Sequence, residues 1–173
     1  AVQLEAAADS SPVQIIDGKA YLFDENGILY TGSGTPVIDG SKYWANADSS
    51  LNSGWLNMGS WRMYFNPDTY AACTGLTELD GKMYIFDSNG LMQTNAGTPV
   101  VDGAKYWINT DGSLSSGWLN LGGMRMYFRP DTFQSVENSF YEIDGNTYYF
   151  DQNGVMVTGT REIDGYLCTF DQN

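Results

Sequence analysis

Along residues 16–173, ring and aliphatic residues alternate with polar ones over short runs, and each run ends at a cluster of Gly, Asn, Asp or Pro. A two-residue period of this kind predicts short β-strands joined by tight turns. IDGKAYLFDENGILYTG (residues 16–32) predicts a first hairpin with its turn at Glu25-Asn26-Gly27, because Asn-Gly between apolar runs accepts the positive φ angles of a tight turn. Residues 34–54 predict a second hairpin turning near Asp48-Ser49, and residues 54–75 a third turning at Pro67-Asp68. The order then recurs, with turns expected at Asn89-Gly90, Asp111-Gly112 and Pro130-Asp131. A third round opens with IDGNTYYFDQNGVMVTG and breaks off within REIDGYLCTFDQN.

The recurrence is a true repeat: SGWLNMGSWRMYFNPDT (53–69) returns without a gap as SGWLNLGGMRMYFRPDT (116–132), displaced by 63 positions from Ser53 to Ser116. Three hairpins of about 20 residues therefore make one period. An isolated hairpin is barely stable in water, so each must bury its rings against the next. The expected fold is all-β, a solenoid of stacked β-hairpins, forming a single repeat domain over residues 15–173 after a linker at 1–14. The hairpin units fall at about 16–33, 34–53, 54–75, 79–96, 97–116, 117–138, 143–159 and 160–173. With three hairpins per superhelical turn, Trp55 and Trp118 share a face.

Composition narrows the partners. A formal charge of −13 disfavours nucleic acid and anionic lipid, which need a basic surface to release counterions. A cationic, neutral or sugar ligand fits better, although acidic surfaces also simply keep secreted proteins soluble. No apolar run is long enough to span a membrane, so no membrane insertion is expected. The Ala-rich opening without an initiator Met suggests a processed or truncated chain. Cys73 and Cys168 occupy non-equivalent places in the repeat and are expected to be free, buried thiols rather than a disulfide.

Catalytic chemistry finds little to work with. Six Asp-Gly pairs, at Asp17, Asp39, Asp80, Asp102, Asp144 and Asp164, open hairpins and serve turn geometry. The Asp-x-Asn-Gly segments at Asp24, Asp87 and Asp151 resemble half of a calcium loop but lack the closing bidentate Glu, so no metal is expected. Histidine is absent, and no phosphate-binding loop is present, which leaves no expected cofactor. A glycosidase with paired carboxylates would need non-repeated acids in a cleft, whereas every Asp but Asp9 falls at a repeated position. The chain is expected not to be an enzyme.

The aromatic residues carry the remaining chemistry. Trp and Tyr stack on sugar rings, and Trp faces attract quaternary ammonium groups. Tyr21, Phe23, Phe65, Tyr84, Phe86, Phe128, Phe150 and Phe170 read as hairpin core, while Trp55 and Trp118, each following a Gly, fit either core or ligand contact.

Gly-Trp-Leu followed by a strand ending Met-Tyr-Phe (54–65, 117–128), with Asp-Gly-Lys-x-Tyr-x-Phe-Asp-x-Asn-Gly (17–27, 80–90), resembles the cell-wall-binding repeats of Gram-positive surface proteins. That superfamily includes choline-binding modules, glucan-binding repeats of glucosyltransferases and the carbohydrate-binding repeats of large clostridial toxins. The resemblance implies a β-hairpin solenoid, an extracellular, cell-wall-associated location, and attachment of a larger secreted protein to a cell-wall polysaccharide, a teichoic-type polymer or another surface glycan. Choline sites in the family combine the Trp after Gly with a second aromatic residue seven positions on. Here that position holds Arg62 and Arg125, and a cation there repels a quaternary ammonium. Trp61 lies one place off and offers a residual choline site with Trp55 and Tyr84; Met124 replaces it in the second copy. An Arg between rings suits a sugar acid or phosphate while Trp55 or Tyr64 stacks on a ring, or else lies over its neighbouring rings and pairs with a turn Asp. The candidate ligand-binding residues are therefore Trp55, Trp61, Arg62 and Tyr64, their counterparts Trp118, Arg125 and Tyr127, and Trp44 and Trp107. The alternatives are a structural stalk or protein-interaction solenoid, and a choline-binding module.

Overall fold

The computed structural model describes residues 11–171. Every regular element among them is a β-strand, and the strands form ten two-stranded antiparallel ladders, each between sequence neighbours. The first half carries β1 (Val13–Ile16) with β2 (Lys19–Leu22), β3 (Val37–Ile38) with β4 (Ser41–Lys42), and β5 (Trp44–Ala45) with β6 (Leu51–Asn52). There follow β7 (Gly54–Met58) with β8 (Trp61–Phe65) and β9 (Gly75–Leu79) with β10 (Lys82–Phe86). The second half repeats the order with β11 (Val100–Val101) and β12 (Ala104–Lys105), β13 (Trp107–Ile108) and β14 (Leu114–Ser115), and β15 (Gly117–Leu121) and β16 (Met124–Phe128). It closes with β17 (Ser139–Ile143) and β18 (Asn146–Phe150), then β19 (Gly159–Ile163) and β20 (Tyr166–Phe170).

The expected linker over residues 1–14 lies outside the described residues up to residue 10. At its end Val13 and Gln14 are not linker: they pair with Leu22 and Tyr21 in the β1–β2 ladder.

The turns differ from expectation in one systematic way. The Asp-Gly pairs at Asp17, Asp39, Asp80, Asp102, Asp144 and Asp164 are themselves the tips of hairpins, with φ positive at both residues, for instance 51° at Asp144 and 78° at Gly145. Two such residues make the type I′ turn, whose twist matches that of the flanking strands, so a ladder grows from each of these points, with two-residue strands at Asp39-Gly40 and Asp102-Gly103 and four- or five-residue strands at the others. At Asn26-Gly27 only the glycine has positive φ, and the reversal is closed by the single bridge Phe23↔Leu29. There Asp24 caps the loop, its Oδ1 accepting from the backbone N–H of Asn26 and Ile28 at 2.9 and 2.8 Å. Asp87 and Asp151 do the same. These carboxylates are spent on backbone, and the described residues hold no cluster of ligands fit for a metal. Likewise the β7–β8 ladder turns at Gly59-Ser60 rather than at Pro67-Asp68. The Pro67-Asp68 segment is a loop capped by Asn66, in which Tyr70 takes a left-handed φ of 60° while packing on the core. The expected turns near Asp48-Ser49 and Asp111-Gly112 do join β5 to β6 and β13 to β14.

The chain divides into two compact units, Ala1–Glu78 with Ile85–Met92, and Leu79–Tyr84 with Gln93–Asn173. In the first, Ala20, Leu22, Tyr43, Ala45 and Leu51 form one buried cluster, and Met63, Phe65 and Phe86 are also sealed from solvent. In the second, one cluster contains Leu119, Met126 and Phe128, and another contains Val136, Ile143 and Phe150. Phe23, Phe65, Phe86, Phe128 and Phe150 are thus core, as their places in the alternation require. Lysines tie each unit across long sequence separations: Lys42 Nζ donates to Asn89 O at 2.8 Å in the first, and Lys105 Nζ to Asn153 O at 2.6 Å in the second.

Cys73 and Cys168 are free and half-buried, less covered than expected. Burial pushes the Cys73 thiol up from its ordinary pKa.

Candidate aromatic and arginine platforms

In the β7–β8 ladder Trp55 faces Tyr64 and Asn57 faces Arg62. Cross-strand partners share a face and successive residues alternate, so Trp55, Asn57, Arg62 and Tyr64 lie on one side, opposite buried Met63 and Phe65. The Trp55 and Tyr64 rings meet edge to face, with centroids 5.1 Å apart and planes at 70°. The Arg62 guanidinium carbon sits 4.3 Å above the Trp55 ring, close enough for a cation–π contact, and Arg62 Nε donates to Asn57 Oδ1 at 2.9 Å. Phe86 lies behind Trp55 at 6.2 Å.

The second unit repeats the arrangement. Trp118 meets Tyr127 at 5.2 Å and 70°, and the Arg125 guanidinium carbon lies 4.2 Å over its ring. A second tyrosine, Tyr148 of β18, stands at 76° to the indole with centroids 5.0 Å apart. Trp118 is therefore flanked by two near-perpendicular rings and covered by a guanidinium. Tyr127 also approaches Tyr141 at 5.6 Å, and burial raises the pKa of its phenol.

Both guanidinium groups lie over the neighbouring indole, the hydrogen-bond partner of Arg62 is Asn57 rather than a turn Asp, and among the described residues no ion pair involves Arg62 or Arg125. Asp48 and Asp111 pair with Lys19 and Lys82 at 2.8 Å, and those bonds, with the hydroxyl and amide of Ser50 and Ser113, hold both carboxyls far below the usual range.

Trp61 belongs to the opposite face of the hairpin, in line with Met63 and Phe65, and reaches past the core to be 60% exposed. It does not join Trp55. Trp44 and Trp107 are half-buried and lean on Phe65 and Phe128 at 6.0 and 6.1 Å, backing the hairpins rather than flanking either arginine.

A third site appears that the sequence reading did not single out. Phe140 and Tyr149 hold in β17–β18 the register places of Trp55 and Tyr64, and their centroids are 4.8 Å apart. Phe170 stands 6.3 Å from Phe140 and 6.2 Å from Tyr149. Here the cross-strand pair equivalent to Asn57–Arg62 is Glu142–Thr147: neutral Thr147 stands in the arginine place and Glu142 in the asparagine place, so the pair's charge changes from positive to negative. No guanidinium lies over these rings. A recess of about 300 Å³ opens instead beside Thr147, lined by Tyr148, Met156, Thr169, Phe170 and Asp171. The signal in the sequence is that Phe140 and Tyr149 stand seven places before and two after Thr147, as Trp55 and Tyr64 do about Arg62, with Phe in place of the Trp of the Gly-Trp motif.

Repeated hairpins bearing aromatic platforms define a repeat-built binding module. Residues 137–173, the segment with the third site, match the family described as the choline-binding repeat. The chain is 29% identical over 159 residues to Glucosyltransferase-S of Streptococcus mutans, which covers 89% of this chain and 11% of that protein. It is 27% identical over 143 residues to Toxin A of Clostridium novyi, covering 78% and 6%. The chain thus spans about a tenth or less of these relatives, and the enzymes among them are matched over their repeat regions alone. Among solved structures, CbpJ from Streptococcus pneumoniae superposes with a TM-score of 0.59 at 25% identity, covering 89% of this chain and 55% of that one. Choline binding protein F of the same organism, solved with a tetrasaccharide-pentapeptide peptidoglycan analogue, gives 0.60 at 25% identity, covering 89% and 54%. The chain thus resembles the choline-binding and glucan-binding repeat regions of Gram-positive surface proteins.

Proposed function

We propose that this chain is a non-catalytic, extracellular module, a single solenoid-like repeat domain that binds a cell-wall or surface carbohydrate polymer and so attaches a larger secreted protein. The observation that carries the reading is the twofold Trp–Arg–Tyr platform on the partly exposed faces of β7–β8 and β15–β16. A guanidinium laid over an indole keeps its N–H donors in its own plane, where they serve hydroxyls, a sugar carboxylate or a phosphate at the platform rim. Tyr64 and Tyr127 add a ring edge and a phenol beside it. Two weak sites suit a repetitive ligand, which raises affinity through effective concentration rather than through a deep pocket. The peptidoglycan analogue in the choline binding protein F structure supports a wall ligand.

A second reading, a module for choline on a wall polymer, draws on the third site. Phe140, Tyr149 and Phe170 lack a covering cation and have Glu142 on their face, a combination that favours a quaternary ammonium, and they lie in the matched segment 137–173.

Pull-down with purified Gram-positive walls separates the two. The Trp55→Ala, Trp118→Ala double variant is expected to lose wall binding at least tenfold, without effect of millimolar choline, while circular dichroism stays that of a folded β-protein. Elution of the wild type by choline, together with loss of binding in Phe140→Ala, favours the second reading. A wild type that binds no wall leaves a stalk.

A further inference from the structure

Three hairpins put an aromatic pair in the same register, Trp–Tyr in two and Phe–Tyr in the third, and on the face that carries it they differ in charge at the next cross-strand pair. In two of them that pair is Asn57–Arg62 or Asn120–Arg125; in the third it is Glu142–Thr147. Where arginine is present its guanidinium is not directed at an acid, although the chain is strongly acidic. It lies 4.3 Å over Trp55 or 4.2 Å over Trp118. Around Trp118 the two tyrosines at 70° and 76° provide the flat face and upright walls that recognise an organic cation, and the chain has furnished that cation itself.

We propose that Arg62 and Arg125 are specificity-determining residues: each guanidinium is the resident occupant of the ring-lined seat over its indole, and it closes that seat to organic cations. The inference rests on the platforms being ligand sites. An incoming ammonium would have to displace a planar cation already stacked on the ring, held in the first hairpin by Asn57, or lie against a like charge. Tethering favours the resident, because its effective concentration over the ring far exceeds that of a free ligand. Anions and hydroxyl-bearing ligands meet no such barrier, since the same guanidinium donates to them. The acidic Glu142–Thr147 pair shows the alternative written into the same chain: where the arginine is replaced, no guanidinium among the described residues lies over the rings.

The test uses tetramethylammonium chloride as probe, with sodium chloride at equal ionic strength as reference. The readout is the indole N–H signals of the five tryptophans in a proton–nitrogen correlation spectrum, the Trp118 signal being assigned by Trp118→Phe. In the wild type the Trp118 signal is expected to move no more with tetramethylammonium than with sodium. In the Asn120→Glu, Arg125→Thr variant, which installs the third hairpin's pair, the same signal is expected to shift saturably, with apparent affinity at least tenfold tighter, while Trp55 remains still. The single Arg125→Thr variant, a smaller change, reads the same way, and Arg125→Lys, which keeps the charge, is expected to stay closed. A saturable Trp118 shift in the wild type overturns the proposal, as does a folded Arg125→Thr variant whose Trp118 signal ignores the probe. Neither result depends on wall binding, so a failure of the glycan reading is seen separately in the pull-down.

Discussion

Arg125 and Thr147 stand at the same register position of successive long hairpins, yet one covers an indole and the other borders an open recess. A single side chain at the second place of the returning strand thus decides whether an aromatic face is presented or occupied. Charge on the carboxylates of Asp48 and Asp111 is settled just as locally. Because hydrogen bonds from Lys19 and Lys82 depress the folded pKa of Asp48 and Asp111, these pairs contribute stability above the ordinary carboxylate pKa of about 3.9, and lose it as the pH falls below that value toward the folded pKa. The lysine pKa values are raised by the same bonds, so at the alkaline end the contribution persists until the pH passes through those raised values. The urea midpoint of the wild type is therefore expected to exceed that of Asp48→Asn, Asp111→Asn at neutral pH and to converge with it in strong acid. The effect is small, since all four groups lie at the surface.

At the scale of the element, two glycines with the same φ of 78° separate backbone strain from packing. Gly145 sits at a hairpin tip with nothing within 4 Å of an added Cβ, whereas a Cβ at Gly154 would run into Ser135 Oγ and Met126 Cε. Gly145→Ala is expected to cost only the left-handed backbone term, ~1–2 kcal/mol. Gly154→Ala adds the overpacking of a sealed site, a further ~1–3 kcal/mol. Equilibrium unfolding of the two variants measures the difference; equal losses would mean that the Asp151 loop yields freely. The same distinction explains which turns were legible. Both Asp-Gly and Asn-Gly signal a reversal, and both reverse the chain here. Which of them bears a full ladder depends on the strands beyond: four- and five-residue arms flank most Asp-Gly pairs, while Asp24, Asp87 and Asp151 turn their carboxylates back onto the loop and leave one bridge.

For the whole molecule, repetition and a charge of −13 set what kinds of partner are credible, and two platforms of one design make polymer length the variable to examine. Trp55→Ala and Trp118→Ala are each expected to weaken binding to long wall fragments by more than tenfold while changing binding to a short oligosaccharide about twofold, because only a long chain engages both sites. Titration of fragments of graded length checks this; equal losses at all lengths would mean that the sites act singly. By itself, the sequence determined the all-β class, the hairpin repeat, the phenylalanine core and the matching of Trp55 and Trp118 with an arginine seven positions on, because period-2 patterning and register act over a few residues. It did not reveal that Arg62 and Arg125 lie on the indoles, that Trp61 belongs to the opposite face, or that Tyr148 walls Trp118. Those depend on which face of a ladder each side chain leaves and on rings brought together from different hairpins, and such distances come into being only when the hairpins pack.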